Sequence, residues 1–417
     1  MVQDPPADTV TIELHGWAHG GEAVGRLPDG RACFVAYGLP GETVEARVTR
    51  RYKRHATAEL VRVVTPSPHR VQAPCPHYAV CGGCQLQHAS PAHQLQLKTQ
   101  VLVDQLTRIG RQTDPPVTPV VAPAGGWPAG YRSWARMAVD GQGRLGFRRR
   151  ASHEVHHVPH CLLMTPEAAA LRDAAGDGWR GVEEVVLTAG ADDGVLALSP
   201  GAGPLPPLPE GTFGVAVTDG APGRAPSVVR GPDRVRVDVA GVELQATAGA
   251  FFQAGPAGAA ALVQMVLDAV GPLEGRTVLD LYAGVGLFAA FLARGGAHVV
   301  AVEANATATG DARTNLEGLD VEIRTERVED ALADLATADI VLLDPPRAGA
   351  KAEVCTAIAG LRPQRIVYVA CDPAALARDV ATFDGLGYRL TGVQGLDLFG
   401  HTAHVEAVAV FEPAATR

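Results

Sequence analysis

From Thr277 the chain reads Thr277-Val-Leu-Asp280-Leu281-Tyr-Ala-Gly284-Val-Gly286-Leu-Phe-Ala289. The run Thr277–Leu281 has the length and composition of a buried strand, and the glycines after it form a turn before an Ala/Leu-rich helix. Further strand-like runs follow at His298–Val302, Asp320–Ile323, Asp339–Leu343, Arg365–Ala370, Tyr388–Val393 and His404–Phe411, mostly separated by helical stretches. That alternation is a βαβ series. It specifies an α/β fold with a doubly wound, mostly parallel seven-stranded sheet. The last two runs are too close in sequence for a crossover helix, so they pair antiparallel.

Toward the N-terminus the pattern changes. Thr9–Leu14, Arg31–Val35, Glu42–Val48 and Ala58–Val64 read as strands, broken by turns at His19-Gly-Gly21 and Gly38-Leu-Pro-Gly41. Short strands over residues 8–66 predict a small OB-like β-barrel. A cysteine-rich loop follows. Ser90-Pro91 then predicts a helix over 91–110, with Ser90 as N-cap, an apolar face of Leu95, Leu102, Leu106 and Ile109, and Gly110 as the stop. Residues 115–245 read as irregular antiparallel β structure, with a Pro-rich loop at 201–211. The expected domains are therefore 8–66, 67–245 and 246–417.

The chain has 417 residues, a net charge of −9 and seven cysteines. The start, Met1-Val-Gln-Asp-Pro-Pro6, has neither a basic region nor an apolar run, and no apolar stretch reaches the roughly 18 residues of a membrane span. The expectation is a soluble cytoplasmic protein with no membrane contact and no obligate protein partner. The acidic balance argues against a general polyanion binder. Local clusters at Arg47, Arg50, Arg51, Lys53 and Arg54, and at Arg148-Arg149-Arg150, are either phosphate contacts or solvated surface. An odd cysteine count in such a chain argues against a disulfide framework. Cys75, Cys81 and Cys84 have metal or cluster spacing and need a fourth ligand, for which Cys161 and His160 compete. Spacing leaves an iron–sulfur cluster and zinc equally open.

The chemistry concentrates near the C-terminus, in Leu343-Asp344-Pro-Pro-Arg347, Val369-Ala-Cys371-Asp-Pro373 and His401-Thr-Ala-His404-Val-Glu406. Each lies beside a strand, and strand carboxyl ends form the rim of the crevice in an open α/β sheet. A thiol beside an acid/base carboxylate points to covalent catalysis. Glu406, on an otherwise apolar strand, is costly without a partner or a task. The motif Gly284-x-Gly286-x-x-Ala289 fits either NAD or S-adenosylmethionine. Asp280 and Asp344-Pro-Pro favour the methyl donor, and Glu303 at the end of the next strand suits ribose hydroxyls.

Together, Cys75-Pro-x4-Cys81-Gly-Gly-Cys84-Gln-Leu-Gln-His88, Gln94-Leu-x-Leu-Lys98, Phe252-Gln253, the Gly284 loop and the three C-terminal motifs resemble the RNA uracil-5-methyltransferases of the RumA/TrmA type. The version resembled carries an N-terminal TRAM domain and a four-cysteine cluster. The resemblance implies a class I S-adenosylmethionine-dependent methyltransferase fold and formation of 5-methyluridine in RNA, with 23S rRNA favoured over tRNA. It implies a [4Fe-4S] cluster on Cys75, Cys81, Cys84 and Cys161, with Cys371 as nucleophile and Glu406 as base. It places Gln253, Tyr282, Gly284, Glu303 and Asp344 around S-adenosyl-L-methionine or the uracil, and packs helix 91–110 on the catalytic domain. Three positions depart from the family: Gly255 and Asp372 where Asn is usual, and Leu287 where a polar residue is often found. The rival classes are an NAD(P)-dependent iron–sulfur oxidoreductase and a catalytically inert RNA-binding protein.

Overall fold

The computed structural model describes residues 9–414 except 126, 202, 220–223 and 336; the N-terminal segment read above lies outside the described residues. Five strands, β1 (Thr9–Ala18), β2 (Glu22–Arg26), β3 (Ala32–Ala36), β4 (Thr43–Arg51) and β5 (His55–Thr65), close into a barrel in the order β1-β2-β3-β5-β4. Alternate residues such as Ile12, Leu14, Ala23, Val35 and Val44 fill its interior, as period-two patterning requires. Strand β2 was not expected from sequence, because Gly25 reads as a breaker. A Cβ there would lie 2.3 Å from Ile12 Cγ2. The barrel needs glycine at that close approach.

Helix α1 (Pro91–Arg108) follows. Ser90 holds the N-cap position, but its hydroxyl makes no capping bond, and the helix stops just short of Gly110. The apolar face also differs from the expected one, for Ile109 is exposed. Leu97 and Val101 pack into the barrel core. Leu102 and Leu106 pack into the core of the C-terminal sheet. The helix is a strut with an apolar surface on each side, so no single stripe describes it. Between those surfaces, Lys98 and Asp397 are both buried and their Nζ and Oδ1 atoms lie 2.5 Å apart.

Strand β6 (Val117–Val121) comes next, then β7 (Trp134–Val139), β8 (Leu145–Arg148), β9 (Val155–His157), α2 (Pro166–Ala175), β10 (Val182–Ala189), β11 (Gly194–Pro200), β12 (Gly214–Val217) and β13 (Ser227–Arg230). β7 to β13 form one seven-stranded sheet, antiparallel except where β11 meets β12. Helix α2 was not expected. Its signal was Thr165-Pro166: the Thr165 hydroxyl accepts from the Ala168 N–H at 3.2 Å and Pro166 opens the first turn, a standard start. The hairpin β14 (Arg234–Val239) and β15 (Val242–Thr247) lies almost wholly on the N-terminal side of the expected boundary at 246 and ends one residue past it. Yet Val235, Val237 and Leu244 share one core with the C-terminal helices and sheet.

The C-terminal layer runs α3 (Pro256–Val270), β16 (Thr277–Leu281), α4 (Leu287–Arg294), β17 (His298–Glu303), α5 (Ala306–Asn315), β18 (Val321–Thr325), α6 (Val328–Asp334), β19 (Ile340–Leu343), α7 (Lys351–Gly360), β20 (Arg365–Ala370), α8 (Pro373–Gly385), β21 (Tyr388–Leu396) and β22 (Glu406–Pro413). The seven expected strands lie in one sheet ordered β18-β17-β16-β19-β20-β22-β21, with β22 antiparallel to both neighbours. An eighth strand, β6, joins β21 at the edge. Pro115, Pro116 and Pro119 hid β6 in the sequence, but proline is tolerated on an edge strand. Among the described residues no helix is long and apolar enough to cross a membrane.

The strut's buried ion pair makes a testable contribution. Lys98→Ala leaves the Asp397 carboxylate buried without its cation, which costs about 3–5 kcal/mol. Lys98→Met combined with Asp397→Leu removes both charges and should recover most of that loss. Urea unfolding of the three proteins checks this. A Lys98→Ala protein within about 1 kcal/mol of wild type would show that the pair does not hold the strut.

Candidate active site

Asp280, Asp344, Cys371 and Glu406 meet at one rim because of strand register. β16 and β19 run parallel with Leu281 opposite Leu343, so Asp280 and Asp344 lie at neighbouring strand ends. β20 and β22 run antiparallel with Ala370 opposite Ala407, which places Cys371 beside Glu406. The turn after β16 is tight. Tyr282, Gly284 and Gly286 all have positive φ, of 64°, 57° and 88°, the conformation that glycine adopts most easily. A Cβ on Gly284 would meet nothing within 4 Å, so the loop leaves open space over its backbone. Glu303 fastens that loop, accepting from the Gly284 N–H at 3.0 Å and the Asn305 N–H at 2.7 Å. Gln253 is buried, and Tyr282, in the turn itself, is half-buried.

The electrostatics of the crevice are unusual. Asp280 is fully buried and neither carboxyl oxygen has a hydrogen-bond partner among the described residues. Burial, reinforced by Asp344, pushes its carboxyl up to about 8. Burial also raises Asp344. Glu406 is raised well above the usual range by burial, then by Asp344, with Arg347 opposing. The Cys371 thiol is pushed up to about 12 by burial, then by Glu406 and Asp344, again with Arg347 opposing. Burial and mutual repulsion thus both favour the neutral forms of these acids. A cationic ligand placed among them would reverse this, because nearby positive charge favours carboxylate and thiolate. The unpartnered Asp280 carboxyl and the open glycine loop fit the amino-acid end and the nucleoside of S-adenosylmethionine.

Outside Cys371 a cleft of about 620 Å³ opens. Cys371, Asp372, Arg347 and His404 come from the catalytic sheet, and His19, Gln85 and Arg150 from elsewhere in the chain. Asp372 caps α8, its Oδ1 accepting from the Ala375 N–H at 2.7 Å. Asparagine would cap equally well, so this departure leaves the helix start intact. Gly255 has a different reason: a Cβ there would lie 1.9 Å from the Tyr131 carbonyl oxygen. Leu287 is buried in the core under the glycine loop.

The loop from Asp397 to Glu406 is held by residues that sequence reasoning assigned no role. Gln94 Oε1 accepts from the His401 N–H at 3.0 Å, and Gln85 Oε1 from the Ala403 N–H at 3.1 Å. The His401 carbonyl accepts from the Gln85 and Leu86 N–H groups at 2.9 and 2.8 Å. Gln85, Gln94 and Lys98 all stood in quoted motifs, but their partners lie some 300 positions away in sequence, which no local pattern reveals.

Cys75, Cys81, Cys84 and Cys161 line one cavity, with Tyr78, Phe147, Val158 and Leu163 as apolar walls and Arg132 beside them. The Cys81 sulfur accepts from the Gly83 N–H at 3.4 Å. His160 points elsewhere: it is 83% exposed and lies 4.0 Å from Asp173. Among the described residues no three His, Cys, Asp or Glu side chains are gathered round a single ion position. The basic clusters are largely paired. Arg47 meets Glu59, while Arg148, Arg149 and Arg150 meet Glu184, Glu154 and Glu22.

Comparison with known proteins bears on this arrangement. Residues 8–61 match the TRAM domain family, and residues 261–400 match the family described as conserved hypothetical protein 95. An uncharacterized RNA methyltransferase of Streptomyces avermitilis is 39% identical, covering 97% of this chain and 98% of that protein. A 23S rRNA (uracil(1939)-C(5))-methyltransferase of Alkalilimnicola ehrlichii is 37% identical, covering 98% of this chain and 97% of that protein. The crystal structure of a Pyrococcus abyssi tRNA (uracil-54, C5)-methyltransferase with S-adenosyl-L-homocysteine superposes with a TM-score of 0.73 at 25% identity, covering 96% of this chain and 100% of that one.

The raised Asp280 carboxyl has a stability consequence. Its pKa is about 8 folded and about 3.9 unfolded. Between those values the folded chain binds the extra proton, so stability falls as pH rises from about 4 to about 8, at up to about 1.4 kcal/mol per pH unit. Asp280→Asn should flatten that decline in ligand-free protein. Unfolding measured from pH 5 to pH 8 tests it, and parallel curves for the two proteins would refute the assignment.

Proposed function

The chain belongs to the TRAM-domain family of RNA uracil-C5 methyltransferases, and from that premise we propose that it methylates C5 of a uridine in 23S rRNA through a covalent adduct on Cys371. It is an RNA methyltransferase that uses S-adenosylmethionine. The observation that carries the mechanistic reading is the register placing Cys371 beside Glu406, with buried carboxyls at the neighbouring strand ends. The ribosomal target rests on relatives at 37% and 34% identity over nearly the whole chain that carry that 23S rRNA activity. The tRNA enzyme shares the architecture at lower identity.

Uracil C5 is a weak nucleophile. In the reaction, the Cys371 thiolate adds to C6 and turns the ring into an enolate. C5 then attacks the methyl carbon of the sulfonium, releasing S-adenosylhomocysteine. Glu406 takes the C5 proton, the C5–C6 double bond re-forms, and Cys371 leaves as thiolate. The thiolate is the reactive form. Burial and two neighbouring acids oppose it in the ligand-free crevice, so the cationic methyl donor and Arg347 favour it when the site is filled. Asp280, whose buried carboxyl has no hydrogen-bond partner among the described residues, would hold the amino group of the donor. Glu303, which holds the glycine loop, would take the nucleoside end, and Gln253, Tyr282 and Asp344 would serve the donor and uracil side. The uridine must be unstacked to enter, at a few kcal/mol.

The four-thiol cavity suits a [4Fe-4S] cluster on Cys75, Cys81, Cys84 and Cys161. Four sulfur atoms line it together with the apolar Phe147, Val158 and Leu163 and the polar His77, Gln87 and Arg132, and the competing His160 faces solvent. A cluster there supplies a structural tie between the 75–88 loop and the strand region near 161. The exposed ends of the barrel, including Arg50 stacked over Tyr52 at 4.9 Å, suit flanking single-stranded RNA.

Because Glu406 acts after methyl transfer, its loss and the loss of Cys371 should differ. Cys371→Ala should abolish methylation and form no covalent species. Glu406→Gln should accumulate a protein–RNA adduct that survives denaturing gels and carries a labelled methyl group. Near-normal turnover of Glu406→Gln, or an adduct without methyl label, would remove Glu406 from the role of base.

For the cluster, protein purified without oxygen should be brown and contain about four iron atoms per chain. Cys161→Ala should lose the colour and His160→Ala should keep it. Stoichiometric zinc without iron would overturn the assignment.

A further inference from the structure

The barrel reaches the catalytic cleft. The turn between β1 and β2 carries His19, Gly20 and Gly21, and His19 and Gly20 line the cleft beside Cys371. His19 Nε2 lies 3.5 Å from Oδ2 of Asp372, the residue after the proposed nucleophile. The turn is fixed there by close packing. Gly21 has φ +88°, and a Cβ on it would lie 2.7 Å from the Ala403 Cβ and 3.1 Å from the Gln85 Cβ. That contact presses the barrel against the loop that leads to Glu406. The other charged groups at the mouth are Arg347, which makes no ion pair among the described residues, and Arg150, which is held by Glu22 at 2.5 Å. Two guanidinium groups and an imidazole thus converge from the barrel, the central sheet and the catalytic sheet, and one of the Asp372 oxygens is already engaged by α8.

We propose that His19 is a substrate-positioning residue that, with Arg150, holds a phosphodiester of the RNA strand next to the target uridine. The inference rests on the reading of Cys371 as the site of uridine attack. With the base inside the crevice, its sugar–phosphate chain must leave through this mouth. Cationic groups on a partly enclosed rim bind phosphate oxygens and fix register without reading sequence. Asp372, 3.5 Å away, holds the imidazole in orientation. The barrel is then a wall of the active site as well as a tether for distant RNA.

The test uses total RNA from a strain lacking this enzyme, which contains the substrate whichever RNA it is. His19→Ala and the size-preserving His19→Gln should raise KM for RNA about tenfold with kcat within about twofold. They should also lower the salt slope of binding by roughly 0.7–0.9. His19→Lys should restore both KM and slope. S-adenosylhomocysteine binding should be unchanged in all three, which separates the effect from misfolding. A His19→Gln enzyme with wild-type KM and salt slope, or one with only kcat reduced, overturns the proposal. If wild-type enzyme forms no 5-methyluridine in this RNA, the reading of the reaction fails instead.

Discussion

Helix α1 has to be held in one place for the active site to exist, and a buried charge pair holds it. Lys98 and Asp397 are both removed from solvent, and two isolated charges in that position would each be costly. They are tolerable only together, so the pair fixes how α1 meets the loop that starts at Asp397. From the same helix and the segment before it, Gln94 and Gln85 bind the next turns of that loop. Glu406 follows directly. The helix also has the barrel on one side and the catalytic core on the other. One polar contact therefore couples the positions of the barrel, the loop from Asp397 and Glu406.

The crevice gathers acids that would repel one another if ionised. Asp280, Asp344 and Glu406 share a buried rim with the Cys371 thiol, and burial raises each of them. In the proposed reaction, a cationic methyl donor entering among them would favour the carboxylates and the thiolate. The same argument explains why an orphaned carboxyl at Asp280 is retained despite its desolvation cost.

The legible parts of the sequence were those with local signatures. The βαβ alternation from Thr277 onward is set by buried runs and helix-forming stretches, and all its strands lie in the sheet in the expected sense. The motifs at Asp344, Cys371 and Glu406 were visible because reactive groups next to apolar runs stand out. What stayed hidden was non-local or locally contradictory. β2 carries a glycine that the barrel needs for close packing. β6 is flanked by prolines and belongs to a sheet assembled mainly from residues more than 150 positions later. The two-sided packing of α1 depends on which bodies surround it. The contact of His19 with Asp372 was hidden in a turn read only as a turn, since Asp372 is far along the chain.

The most direct measurement of the central claim is quantitative mapping of 5-methyluridine in the ribosomal and transfer RNA of a strain from which this chain has been deleted. The expected result is loss of 5-methyluridine at a position in 23S rRNA, with full restoration by the wild-type protein and none by Cys371→Ala. Loss in tRNA alone would move the target while leaving the chemistry in place. An unchanged 5-methyluridine content in every RNA would contradict the account.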